Sequence, residues 1–303
     1  MQVALIGYGE VGRILAEDLR ARGTTVVAFD IQLAEAASAA SESMRHHARQ
    51  HGVALADSHR SAVGRCSLVI SAVTASQAVA VAQACAPGLA RGTFFLDFNS
   101  ASPGAKVRAA DSVNAAGGRY VESAVMTAIP PHRIKVPLLL GGPDAAALLP
   151  VLHDLGFAAK VSSDRLGVAS ATKMCRSVMI KGLEAMVIEA FTTARHYGVE
   201  DAVVASLNES FPSIDWDKQG AYLFQRVIEH GRRRSEEVRE VAVTVREAGL
   251  DPLSAAGTAE RQAWMAELAD SGVFGRKDAA GFARSGDWRI EADRILAHLK
   301  KEV

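Results

Sequence analysis

Two periodicities divide the chain. Through the first half, short runs of β-branched and apolar residues alternate with segments whose apolar side chains recur at helical spacing. The runs Val3–Ile6, Thr25–Phe29, Leu68–Ala72, Phe94–Asp97, Tyr120–Ser123 and Pro137–Leu140 read as strands. Their alternation with helices predicts βαβ units on a mostly parallel sheet. Near Val161 the alternation stops. A helical stretch from about Arg165 to Tyr197 follows, ended by Gly198, a residue suited to the left-handed conformation that closes many helices. Gln219–His230, Arg232–Ala248 and Pro252–Leu268 also read as helices. The pattern therefore predicts an α/β domain over 1–163 and an all-helical domain over 164–303. The long helix is apolar around much of its circumference, which predicts burial from several sides and a homodimer supplying part of the cover.

Composition narrows the function classes. Lys plus Arg and Asp plus Glu number 34 each, so no net charge draws the chain to nucleic acid or to an anionic membrane surface. The apolar stretch Leu68–Ala90 is interrupted by Ser71, Thr74, Gln77, Gln83 and Pro87 and does not read as a membrane span. Met1–Gly7 runs directly into a strand pattern without a basic leader, which predicts a cytoplasmic protein. Cys66, Cys85 and Cys175 are odd in number and dispersed, as reduced structural thiols would be.

The strongest chemical signal is Gly7-Tyr8-Gly9-Glu10-Val11-Gly12 between the first strand and the helical run Arg13–Arg22. In this fingerprint the first glycine permits a tight turn, the second lets a pyrophosphate approach the backbone, and the third lets helix pack on strand. Free N–H groups at the helix start then hold the phosphates. Asp30 ends the second strand, where a carboxylate accepts ribose hydroxyls and repels the 2′-phosphate of NADP. Ile31, Gln32 and Leu33 follow it without a cation. The expected cofactor is NAD rather than NADP.

A fingerprint starting at residue 7, a Rossmann domain, a long helix and a helical C-terminal domain together resemble the β-hydroxyacid dehydrogenase superfamily. That superfamily includes 3-hydroxyisobutyrate and 6-phosphogluconate dehydrogenases. The resemblance covers essentially the whole chain. Leu96-Asp97-Phe98-Asn99-Ser100-Ala101-Ser102-Pro103 is similar to its substrate segment, with Asn99 and Ser100 between nicotinamide and substrate. In Gly167-Val168-Ala169-Ser170-Ala171-Thr172-Lys173, Lys173 matches the catalytic acid/base, whose pKa burial would lower toward neutrality. Ser177 stands where the family usually has Asn. The resemblance further implies Val73, Thr74 and Asn99 beside the cofactor, with Ser123, Arg176 and Ser177 beside a small anionic substrate. Lys181 is a further anion contact on this reading.

Two departures bear on the substrate. The family's Ser-Gly-Gly loop aligns with Met126-Thr127-Ala128, and Ile180 replaces the second acid of 6-phosphogluconate dehydrogenase. The resemblance thus implies hydride transfer between NAD and the alcohol carbon of a small β-hydroxy acid. An imine or aldehyde reductase, or a non-catalytic NAD sensor, is the alternative. No neighbouring carboxylate or thiol completes a metal site with His46, His47 and His51, so none is expected. Arg232-Arg233-Arg234 beside Glu236 and Glu237 reads as a charged helix surface.

Overall fold

The computed structural model describes residues 1–34, 38–277, 282 and 285–301. By its internal contacts the chain divides into two compact units, Met1–Met174 and Cys175–Val303.

The first unit is built on eight strands: β1 (Gln2–Ile6), β2 (Thr25–Phe29), β3 (Ala54–Leu55), β4 (Leu68–Ser71), β5 (Phe94–Asp97), β6 (Arg119–Val125), β7 (Leu138–Gly141) and β8 (Ala159–Ser163). They form one sheet in the order β3-β2-β1-β4-β5-β6-β7-β8. Every pairing is parallel except β6 with β7. The intervening helices include α1 (Glu10–Ala21), α2 (Ala39–His51), α3 (His59–Val63), α4 (Ala78–Cys85), α5 (Pro103–Ala115), α6 (Ile129–His132) and α7 (Ala145–Asp154).

Successive strand residues enter opposite cores, as a two-sided sheet requires. Val3 and Leu5 join one cluster with Leu15 and Leu19 of α1, whereas Ala4 and Ile6 join another with Val81 and Ala82 of α4. The sequence pattern missed β3, which is only two residues long, and β8, whose Lys160, Val161 and Ser162 are exposed. An edge strand with few buried side chains has little apolar pattern to display.

The second unit contains the rest of α8 (Val168–Tyr197), then α9 (Glu200–Ser210), α10 (Trp216–Glu247), α11 (Leu253–Asp270) and α12 (Trp288–Leu299). The boundary falls inside α8 rather than ahead of it as the strand pattern suggests, because its first turns, through Met174, belong to the sheet unit. Gly198 ends the helix at φ +68°, in the expected left-handed conformation.

One sequence expectation changes here. The predicted break near Gly231 is absent, and α10 continues for 32 residues. A Cβ at Gly231 would lie 2.7 Å from the carbonyl oxygen of Gln262, so this glycine admits α11 to close packing instead of ending a helix. Along α8 the chain itself covers only part of the helix circumference. Within the second unit Glu184, Ala185, Ile188 and Phe191 are buried, while Met179, Met186 and Tyr197 are 60–72 % exposed. The core of this unit gathers Phe191, Trp216, Phe224, Met265 and Trp288, with Phe191 and Trp288 centroids 4.6 Å apart.

Candidate cofactor and active site

The strand order reverses between β1 and β4, and open α/β sheets bind ligands beyond the strand C-termini at such a point. Gly7 leaves β1 at φ +94°. A Cβ on it would sit 2.3 Å from the Ala72 carbonyl oxygen, so the turns after β1 and β4 touch. A Cβ on Gly12 would meet the Gly7 carbonyl oxygen at 2.2 Å. At Gly9, by contrast, a Cβ would find nothing within 4 Å. Gly9 is also the N-cap of α1, and no side chain caps its N–H groups. Two closed glycines flank an open one at a bare helix N-terminus, which is the cradle a pyrophosphate needs. Glu10 is exposed, Val11 half-buried and Tyr8 fully buried.

Asp30 is tied into this loop. Its Oδ2 accepts the Tyr8 backbone N–H at 2.8 Å and its Oδ1 accepts that of Gln32 at 2.9 Å. Each carboxylate oxygen has a second lone pair for a ribose hydroxyl. Sequence reasoning overlooked Arg45 of α2, which donates to the Leu33 carbonyl at 2.8 Å and so brings a guanidinium to the segment after Asp30. Only the fold places it there.

Beyond β4 and β5 the expected residues meet. Asn99 Oδ1 accepts the Val73 N–H at 2.7 Å and its Nδ2 donates to Ser71 Oγ at 3.0 Å, so Asn99 joins the two strand ends. Thr74 beside them is exposed. A buried network lies beneath. The Asp97 carboxylate accepts the Asn99 N–H at 2.8 Å and the Tyr120 hydroxyl at 2.6 Å, and pairs with Lys106 Nζ at 3.0 Å. Asp97, Lys106 and Tyr120 are at most 1 % exposed. Burial, then the adjacent Asp97 charge, holds the Tyr120 phenol well above its ordinary value. Ser123 Oγ donates to the Asp97 carbonyl at 3.0 Å, so this expected substrate residue supports the segment from below.

Lys173 reaches this edge. Its Nζ donates to Ser100 Oγ at 2.5 Å, and both residues are half-buried. Glu122, fully buried on β6, sets the start of α8. It accepts the Ala169 N–H at 3.1 Å and the Ser170 hydroxyl at 2.8 Å, satisfying first-turn donors and complementing the helix dipole. Glu122 and Lys106 went unremarked in the sequence; a charge among the apolar or small residues of a strand or helix is the signal that marks them.

The loop Met126-Thr127-Ala128 leads into α6, with Thr127 and Ala128 exposed. The chain is then clamped to α1. Arg133, held at φ +53°, donates to Asp18 at 2.9 Å and to Glu17 at 2.7 Å.

In the second unit Arg176 is exposed and Ser177 buried. Lys181 is not available to an anion, contrary to expectation, because it is buried against Glu237 at 2.6 Å. Nor is the whole Arg232–Arg234 run a surface. Arg234 is buried with its Nε 2.9 Å from Glu184, which also accepts Gln262 at 2.9 Å and pairs with Arg226 at 3.2 Å. Arg232 and Arg233 remain outside, on Asp270 and Glu237.

The family described as the NAD binding domain of 6-phosphogluconate dehydrogenase matches residues 2–157, which span the entire cradle. The chain belongs to that family. Residues 194–265 of this member match a domain of unknown function, DUF1932. A conserved hypothetical protein from Sinorhizobium meliloti is 31 % identical, with a TM-score of 0.76 over 98 % of this chain and 96 % of its own. The conserved protein MTH1747, reported as structurally similar to 3-hydroxyacid dehydrogenases, is 28 % identical, with a TM-score of 0.69 over 89 % and 98 %. The same fold occurs in 3-hydroxyisobutyrate dehydrogenase from Mycobacterium tuberculosis with L-serine, at 16 % identity and a TM-score of 0.69 over 88 % and 94 %. It also occurs in an imine reductase from Myxococcus stipitatus with NADP+, at 17 % identity and 0.53 over 98 % and 100 %. This family member is thus a 3-hydroxyacid dehydrogenase-like NAD(P)-binding protein. No helix among its described residues is long and apolar enough to cross a membrane.

Proposed function

We propose that the protein is an NAD-dependent dehydrogenase that oxidises the hydroxyl-bearing carbon of a small β-hydroxy acid. The observation that carries this reading is the Lys173–Ser100 hydrogen bond at the C-terminal edge of the sheet, next to the dinucleotide cradle. Gly7, Gly9 and Gly12 would hold the pyrophosphate and Asp30 the adenosine ribose. The bound nicotinamide supplies the hydride acceptor.

The chain's own residues then position substrate and move a proton. Ser100 orients the substrate hydroxyl, and Lys173 Nζ takes the hydroxyl proton as hydride leaves the carbon. Carbonyl reduction runs the same transfer in reverse. Asn99 keeps the β4 and β5 ends in register, and Glu122 fixes the helix that presents Lys173. L-Serine, named with the mycobacterial enzyme, is itself a small β-hydroxy acid. The intact Lys173 favours alcohol oxidation over imine reduction. The exposed Met179, Met186 and Tyr197 of α8 support a homodimer, which light scattering at micromolar concentration would test.

Following NADH formation from NAD across a panel of small hydroxy acids, with 6-phosphogluconate and uncharged alcohols as comparators, tests the proposal. Turnover of a short β-hydroxy acid is expected. Efficient oxidation of 6-phosphogluconate, a preference for uncharged alcohols, or silence across the panel would overturn it.

A further inference from the structure

A cluster on the outer side of α1 and α2 lies outside the dehydrogenase site. His47 and His51 are one turn apart on α2, and the fold brings a carboxylate to them, Glu17 of α1. One candidate ligand atom from each of the three lies within 4.8 Å of the other two. All three residues are half-buried. His47 Nε2 stands 3.0 Å from Glu17 Oε1, and the two imidazole centroids are 4.4 Å apart.

We propose that Glu17, His47 and His51 form a binding site for a divalent ion of the zinc class. Metal–ligand bonds of ~2.0–2.2 Å in a tetrahedron place ligand atoms about 3.3 Å apart, so small side-chain rotations close the set. Two imidazoles and one carboxylate suit Zn²⁺ and leave a fourth position for water, whereas Mg²⁺ and Ca²⁺ require oxygen ligands.

The surroundings support the assignment. Tyr8 Oη lies 2.9 Å from His47 Nδ1, on the side of the ring away from Glu17. A phenol hydroxyl both donates and accepts. It donates to Nδ1 when Nε2–H faces Glu17, and accepts from Nδ1–H when Nε2 binds the ion, the outer partner a metal-bound histidine needs. Arg133 occupies Glu17 Oε2 and leaves Oε1 toward the histidines. Tyr8 lies between the first two fingerprint glycines, so an ion here would brace the cofactor loop from behind.

The test uses untagged full-length protein stripped with a chelator and titrated calorimetrically with Zn²⁺ alone. One saturable site per chain is expected, with Mg²⁺ failing to compete. His51→Ala should weaken binding by about a hundredfold and remove the Zn²⁺-dependent rise in Tm; Tyr8→Phe should weaken it by ~10-fold or more. His46→Gln, on the exposed neighbour, should change nothing. Should Glu17→Gln not fold, His51→Ala still decides, because none of the side-chain hydrogen bonds described rests on the His51 ring. No 1:1 binding, binding undiminished in His51→Ala, or an equal loss in His46→Gln would overturn the site.

Discussion

Nζ of Lys173 and the hydroxyl of Ser100 lie 73 positions apart in sequence and share a hydrogen bond. Two supports converge on that bond. Glu122 grips the first turn of the lysine's helix, and the Asp97–Lys106–Tyr120 network sets the segment that carries the serine.

Replacing Lys173 with Met removes the titratable group while keeping helix propensity and most of the volume. Turnover should fall by ~10²–10⁴, the usual worth of a positioned acid or base. NADH affinity, read by fluorescence, should stay within a few-fold. Retained turnover would show that another group moves the proton.

The fingerprint glycines make unequal predictions. Gly9→Ala meets open space and should keep the wild-type Tm while weakening NADH binding by tenfold or so, as the methyl enters the phosphate cradle. Gly7→Ala meets the Ala72 carbonyl from a left-handed backbone and should fail to fold, or lose more than about 3 kcal/mol. Unchanged cofactor binding by Gly9→Ala would count against the cradle.

Cofactor choice turns on Asp30 and Arg45. With the carboxylate present, NAD should bind at least about tenfold more tightly than NADP, since like charges repel across the ribose. Asp30→Ala should narrow that gap, leaving the Arg45 guanidinium as the nearby charge. Equal affinities of the wild-type protein in parallel titrations would refute the assignment.

Glu184 anchors the helical unit through Arg234, Arg226 and Gln262. Glu184→Leu strands the buried Arg234 and should cost ~3–5 kcal/mol in denaturant unfolding. Adding Arg234→Met should recover much of that loss. An additive double variant would show that the two side chains are uncoupled.

The three thiols should separate by reactivity. Burial pushes Cys66 up to about 11 and Cys85 up to about 12, whereas Cys175 is exposed. A thiol reagent near neutral pH should therefore label one cysteine in the native protein and three after unfolding, with mass spectrometry placing the fast label at Cys175. Rapid native labelling of Cys85 would contradict the packing of α4.

The sequence by itself determined the elements whose chemistry is local. Alternating strand and helix periods marked the parallel sheet. The glycine spacing announced the dinucleotide cradle, because turn, close approach and packing act within one strand–turn–helix. Gly198 marked the end of α8 for the same reason. Tertiary structure decided everything that depends on which distant residues meet. It drew Glu17 to His47 and His51, set Lys106 beneath Asn99, committed Lys181 and Arg234 to internal ion pairs, and turned Gly231 from a helix end into a helix contact. A charged side chain reads alike in sequence whether it faces water or a buried partner, since pairing is a property of the other chain segment. Only the fold supplies that segment.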